Sequence, residues 1–235
     1  MWCNILNKLL KINFEYRVEI SYALFFLALS TLLIKSELIY ESLAAYLNIE
    51  APAAMSLLFS IIAVLNLLAG ALRISACAYL GSEVMMKKEV QAKKMTVAGP
   101  YAYVRNPIYL SDIISMTATA FAGNIYSVAV LFLGKVITSS LFCIYEEENL
   151  LKYLGNEYKD YYDRVPRFIP KLYQYHNTDI LAHKNYSDGM KNSFYPIGIA
   201  AGFLAGAITQ TYLYIFIIGA IAPVGWFILY RKRRI

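Results

Sequence analysis

Residues 51–80 carry a single charged side chain, Arg73, in an otherwise apolar and small-residue run. A helix needs about 20 mostly apolar residues to cross the hydrocarbon core of a bilayer, and this run exceeds that length. Five further stretches share its character. The first occupies residues 20–47, with 20–34 as its apolar heart. Residues 108–122 and 125–145 follow, divided only by Gly123 and Asn124, a turn pair that predicts a tight hairpin. Residues 194–209 and 212–230, joined across Gln210 and Thr211, predict a second hairpin. The sequence thus reads as an all-α, polytopic integral membrane protein with about six transmembrane helices. Composition agrees: 59% hydrophobic and 16% charged residues, with mean hydropathy +0.47, exclude an ordinary soluble domain.

The distribution of basic residues orients these spans. Of 22 lysines and arginines, Lys35, Arg73 and Lys135 are the exceptions to a one-sided arrangement. The others fall near the N-terminus, between the second and third stretches, between the fourth and fifth, and at the C-terminus. Basic loops stay cytoplasmic, so both termini and both large loops are expected there. The net charge of +6 is accounted for by that arrangement and implies no nucleic-acid partner. Cys3, Cys77 and Cys143 are widely separated and only two histidines occur, which supports neither a disulfide framework nor a metal site. Residues 1–19 place Leu9, Leu10 and Phe14 near helical spacing with Lys8 and Lys11 opposite, the pattern of an interfacial amphipathic helix. The organisation expected is that helix, two transmembrane helices over 20–80, a core over 81–170, a polar linker over 171–192 and a C-terminal hairpin over 193–235.

Two polar blocks are unlike connectors. One is Gly99-Pro100-Tyr101-Ala102-Tyr103-Val104-Arg105-Asn106-Pro107-Ile108-Tyr109, at the start of the third stretch. Gly-Pro makes a turn and Pro107 suits a first helical turn, which brings Arg105 and Asn106 to the membrane surface. The other begins with Glu146-Glu147-Glu148 at the exit of the fourth stretch and continues to Arg164-Val165-Pro166-Arg167. Three carboxylates beside anionic headgroups need a cation nearby, and Arg105, Arg164 or Arg167 would supply it in a structural ion-pair network. Because the hairpin returns to the side it left, Arg105, Asn106, Tyr109 and the glutamate run are expected to line one pocket.

The ordered set G-x-Y-x-x-x-R-N-P-x-Y, an apolar hairpin, E-E-x-x-L, G-x-E-Y and R-V-P resembles the integral-membrane methyltransferases typified by isoprenylcysteine carboxyl methyltransferase. Phospholipid N-methyltransferases share much of it, and the resemblance spans about residues 91–170. It implies S-adenosyl-L-methionine bound without a Rossmann domain, in a pocket at the cytoplasmic face, with a lipid or prenylated acceptor entering from the bilayer. Carried over, the cofactor contacts are Tyr101, Asn106, Pro107, Ile108, Tyr109 and one of Glu146 or Glu147. Lys94, Met95 and Thr96 close the pocket, and Gln91 corresponds to a cofactor-binding glutamine. Arg105 and Arg164 match positions that shape the site.

Two positions depart from the prenylcysteine enzymes. Asn106 stands in place of a histidine, so it hydrogen-bonds but does not titrate near neutrality. Phe142 stands where an arginine recognises the acceptor's carboxylate, which leaves Arg73 or Lys135 to supply a cation. A carboxylate or thiolate acceptor is already nucleophilic, whereas an ethanolamine headgroup needs a base, with Glu147, Glu148 and Tyr109 as candidates. Both acceptor classes stay open. A sterol or steroid reductase using NADPH and a non-catalytic membrane scaffold are the alternatives from other classes. Beyond the resemblance, Gly198, Gly202 and Gly206 form a small-residue stripe for close helix packing, on the chain's own helices or in a homodimer.

Overall fold

The computed structural model describes residues 2–80, 95–175, 184–191 and 193–218. Gln91, Lys94, both histidines and most of the sixth apolar stretch lie outside the described residues. Among those described, every regular element is helical. They are α1 (Trp2–Glu15), α2 (Arg17–Ser30), a 3-10 turn (Thr31–Leu33), α3 (Ile39–Leu47) and α4 (Ala51–Leu80). A second 3-10 turn (Gly99–Ala102) is followed by α5 (Pro107–Ala120), α6 (Ile125–Leu154), α7 (Asn156–Arg164), α8 (Tyr186–Lys191) and α9 (Phe194–Thr209).

Two of these helices, α4 and α6, are long and apolar enough to cross a membrane. A third span is reached if Asn7–Glu15 and Arg17–Leu33, bent by 74° at their junction, act as one. The first apolar stretch is therefore not continuous. It breaks after Leu33, where the polar Lys35, Ser36 and Glu37 take the chain out of helix before α3 begins. At 14 residues α5 is about 21 Å long, short of the roughly 30 Å core.

The chain divides into two compact units. One comprises Met1–Leu24, Leu72–Ile113 and Leu133–Asn192, and the other Phe25–Ala71, Ile114–Phe132 and Ser193–Ile235. In the second unit, Met55, Leu58, Phe59, Ile62 and Ala63 of α4 pack with Ala118 of α5 and Phe203 and Ala207 of α9. The Gly123-Asn124 turn forms as the sequence predicts, and Asn124 caps α6. Its Oδ1 accepts the Ser127 N–H at 3.0 Å while Ser127 Oγ accepts the Asn124 N–H at 3.0 Å, a reciprocal pair that satisfies two helix-end donors. A side chain at Gly206 would press on Phe59 and Ile215, and one at Gly202 on the Ile215 backbone. These two glycines of the stripe thus serve packing within the chain.

In the first unit, Leu10 and Phe14 of α1 are buried while Lys8 and Lys11 are exposed, and Phe14 meets Tyr145 with ring centroids 5.2 Å apart. Helix α6 runs past the predicted end of its span at residue 145 to Leu154. No helix breaker occurs before Gly155, whose φ of 58° opens α7. The extension is anchored by Leu150, Leu151 and Leu154, which pack on Met95, Val97, Tyr158, Tyr161 and Val165. The Glu146–Glu148 run therefore lies inside a helix and not at its exit.

Lys171 and Tyr175 donate backbone N–H groups to the carbonyls of Tyr103 and Ala102, at 3.1 and 2.9 Å, and Asn185 donates to Ala78 O at 2.8 Å. Gly99 has φ +62° and a Cβ there would overlap the Tyr79 ring. Gly99→Ala is expected to lose at least about 2 kcal/mol, combining the left-handed backbone cost with the clash. A thermal melt of the variant checks this.

Candidate active site

The backbone brings the two polar blocks together before any side chain is considered. The Arg105 N–H donates to Pro166 O at 2.8 Å and the Asn106 N–H to Arg167 O at 3.3 Å. Upstream, the 3-10 turn is closed by the N–H groups of Tyr103 and Val104, both donated to Pro100 O. Downstream, Pro107 begins α5, where its missing N–H costs no helical bond. Arg105 and Asn106 are thereby held between a buried turn and a helix start.

Glu147 is the centre onto which they converge. Its side chain is 3% exposed, and Arg105 Nε donates to Oε1 at 3.1 Å. Asn106 Nδ2 donates to the same oxygen at 2.9 Å. Arg167 grips the other side, with its terminal nitrogen 2.6 Å from Oε2. Arg105 also donates to the carbonyls of Tyr162 and Val165 and lies over the Tyr162 ring, 4.1 Å from its centroid. One carboxylate thus ties α6, the turn before α5 and the Val165-Pro166-Arg167 return into a clamp. A buried ion pair is sustained by further hydrogen bonds, and here Arg105 adds two carbonyl acceptors while Glu147 accepts from three residues.

That arrangement separates the residues singled out from sequence into three groups. Arg105, Asn106 and Glu147 meet as expected, but their polar atoms are engaged with one another. Nε and one terminal nitrogen of Arg105 are committed to the clamp. Tyr109 forms a second focus: its ring lies 5.9 Å from the fully buried Phe142, and its hydroxyl faces the Glu146 carboxyl, with Arg17 of α2 acting on both. Pro107 is buried and Ile108 half-buried beside them, and Tyr101 is buried with its carbonyl accepting the Tyr161 hydroxyl at 2.8 Å. Met95 is buried in the α7 cluster and Thr96 is half-buried.

The remaining residues are placed elsewhere. Arg164 pairs with Asp160 at 2.7 Å on an exposed face of α7, so its side chain is not part of the clamp. Glu148 is exposed. Arg73 pairs with Asp112 at 2.5 Å, and Lys135 is buried. Arg167 is one of the three arginines that the sequence offers as ion-pair partners of the glutamate run, whereas Asp112 is not singled out there. Arg167 follows the R-V-P motif directly, and Asp112 is a carboxylate inside an apolar stretch, which is by itself a functional signal in a membrane helix.

Burial holds the hydroxyls of Tyr101, Tyr158 and Tyr161 above the usual phenol range. All three remain neutral donors near pH 7. Since their folded values exceed the unfolded one, the stability they contribute is present below about pH 10 and is lost as pH rises above it. Melting temperatures measured from pH 8 to 11 should fall steeply only beyond about pH 10.

The donor set fits S-adenosylmethionine by its chemistry. A carboxylate beside a tyrosine suits an ammonium or ribose diol, and the adjoining Tyr109 and Phe142 rings suit a sulfonium. Residues 57–157 match the family model of the phospholipid methyltransferases, so the resemblance read from the motifs is borne out over that segment. No curated protein and no solved structure gives a match.

Proposed function

We propose that this chain, matched over residues 57–157 to the phospholipid methyltransferases, is an S-adenosylmethionine-dependent membrane methyltransferase acting on a lipid-like acceptor. The observation that carries the reading is the Glu147 clamp, which joins the separate motif blocks through one buried carboxylate. In this reading six segments enter the membrane, both termini and the site face the cytoplasm, and residues 81–170 form the catalytic core.

The cofactor, when bound, supplies an electrophilic methyl group. The protein's part is to align acceptor and methyl and to keep water away. Glu146 and Tyr109 are assigned to cofactor binding and to the acceptor's proton. Asn106, Arg105 and Glu147 are positioning residues that fix the segment leading into Tyr109. Tyr101, Pro107 and Ile108 supply the surrounding wall, and Gln91, Lys94, Met95 and Thr96 the closing segment. Glu147 is left out of the proton's path because both its oxygens are taken up by Arg105, Asn106 and Arg167.

An amine acceptor is favoured over a carboxylate. Phe142 is buried against Tyr109, where a prenylcysteine carboxylate would need a cation. An ethanolamine ammonium would instead have to lose a proton, the role assigned to Glu146 and Tyr109, before its nitrogen could take the methyl group that the cofactor would supply. Membranes containing the protein should transfer labelled methyl to an ethanolamine lipid. Transfer to a prenylcysteine analogue alone would reverse the acceptor assignment. Thermal stabilisation by NADPH and not by S-adenosylhomocysteine would favour a reductase, and stabilisation by neither a scaffold.

A further inference from the structure

Arg17 joins the Tyr109 and Glu146 focus from outside both motif blocks and outside the matched segment. It stands where α1 meets α2 with a bend of 74°. Neither glycine nor proline occurs at that junction, so local backbone freedom does not explain the bend. Arg17 spans it instead: its Nη1 donates to Phe14 O at 3.0 Å, and its guanidinium lies over the Phe14 ring, 4.4 Å from the centroid. Phe14 is 2% exposed and meets the ring of Tyr145, the residue before Glu146 on α6, with centroids 5.2 Å apart. This stack carries a cation to the stretch of α6 that holds Phe142 and Glu146, and the charge of Arg17 acts on both Tyr109 and Glu146. Stacking engages the face of a guanidinium, whereas carboxylates are bound at its N–H edge. Arg17, Tyr109 and Glu146 are all half-buried, unlike the sealed Glu147.

The two adjacent glutamates differ in how they meet their cations. Glu147 closes ion pairs with Arg105 and Arg167, at 3.1 and 2.6 Å, whereas Glu146 closes none among the described residues. A carboxylate and a guanidinium that attract each other without contact suit a ligand that carries both charges between them. The amino-acid end of S-adenosylmethionine is such a group, an α-ammonium beside an α-carboxylate. We propose that Arg17 binds the α-carboxylate of the cofactor while Glu146 takes its ammonium, so that the N-terminal segment completes the cofactor site. This rests on the methyltransferase reading and adds to it a binding residue from outside residues 57–157. Other cations of the first unit are engaged elsewhere: Arg105 and Arg167 hold Glu147, and Arg73 holds Asp112. The planar edge of a guanidinium offers a carboxylate two parallel N–H donors, which gives Arg17 a means of fixing orientation as well as charge. The opposite orientation is excluded by charge, because Glu146 would then face a second carboxylate.

The test uses the full-length protein in detergent and three adenosyl thioethers, with binding followed as ligand-induced thermal stabilisation. S-adenosylhomocysteine carries both charges, its decarboxylated form S-adenosylthiopropylamine carries the ammonium alone, and methylthioadenosine carries neither. Arg17→Met should raise the half-saturating concentration of S-adenosylhomocysteine at least about tenfold, the scale of a charge-assisted bidentate contact, and leave those of the other two within about twofold. Arg17→Lys keeps the charge without the planar edge and should weaken S-adenosylhomocysteine alone, by about threefold. Glu146→Gln, by contrast, should weaken both amine-bearing ligands. The proposal is overturned if Arg17→Met binds S-adenosylhomocysteine normally. It is equally overturned if that variant loses S-adenosylhomocysteine and S-adenosylthiopropylamine alike, which would make Arg17 a support for Glu146 and not a ligand of the carboxylate. Should Arg17→Met fail to fold, the ratio of those two affinities in Arg17→Lys decides, and an unchanged ratio overturns the proposal. Absence of stabilisation of the unsubstituted protein by all three ligands would sink the methyltransferase reading itself, and the role of Arg17 with it.

Discussion

Glu147→Ala should be among the most destabilising single substitutions in this protein, by about 3–5 kcal/mol, the usual cost of breaking a buried pair from one side. The loss is not that of one contact. Removing the carboxylate leaves Arg105, whose side chain is 8% exposed, with a buried charge and no counter-ion within the clamp. Asn106 loses its acceptor at the same stroke, and Arg167 loses both oxygens that it contacts. In a chain of this size that corresponds to a fall in melting temperature of roughly 6–20 °C. Glu147→Gln should fall between, because an amide oxygen still accepts from Asn106 while the charge is gone. The informative control is Arg105→Met combined with Glu147→Leu. If the clamp is chiefly electrostatic, this apolar pair should recover much of the stability lost in Glu147→Ala. A double variant no more stable than Glu147→Ala would mean that hydrogen bonds to the Tyr162 and Val165 carbonyls carry the clamp instead.

What could be read from the sequence followed from local rules and from the hairpin. Gly123-Asn124 is a turn by composition, and a helical hairpin returns the chain to its starting side, so Arg105 and Asn106 meeting Glu147 was derivable. Pro107 at a helix start and the Gly99-Pro100 turn are equally local. Three features were not local. The division of labour between Glu146 and Glu147 depends on helical phase: adjacent residues on α6 point about 100° apart, so one enters the clamp and the other faces Tyr109. The sequence does not show that phase, because the apolar run ends before the glutamates and the helix does not. Arg164 and Arg167 both follow Tyr162, and their fates differ because α7 ends between them. Arg164 stays on the helix surface with Asp160, whereas Arg167 follows Pro166 back towards Glu147. Lastly, the Arg73 pairing with Asp112 joins two helices far apart in sequence, and no motif spacing announces it.

Glu146→Gln should separate function from folding where Glu147 cannot. The substitution keeps shape and removes only the charge, and Glu146 takes no part in the clamp. The melting temperature without ligand should therefore stay within a few degrees of the unsubstituted protein. Binding of S-adenosylhomocysteine, followed as ligand-induced stabilisation, should weaken by roughly 10- to 100-fold, the range expected for losing a charge-assisted hydrogen bond to an ammonium or diol. Methyl transfer should drop at least as far in kcat/KM, since the same group is assigned to the acceptor's proton. Tyr109→Phe provides the complementary case. It retains the ring against Phe142 and removes the hydroxyl facing Glu146, so it should reduce kcat more than cofactor affinity. If Glu146→Gln instead lowers stability by several kcal/mol and leaves ligand binding intact, Glu146 belongs to the structural framework, and the assignment of the site to Tyr109, Phe142 and Glu146 is wrong.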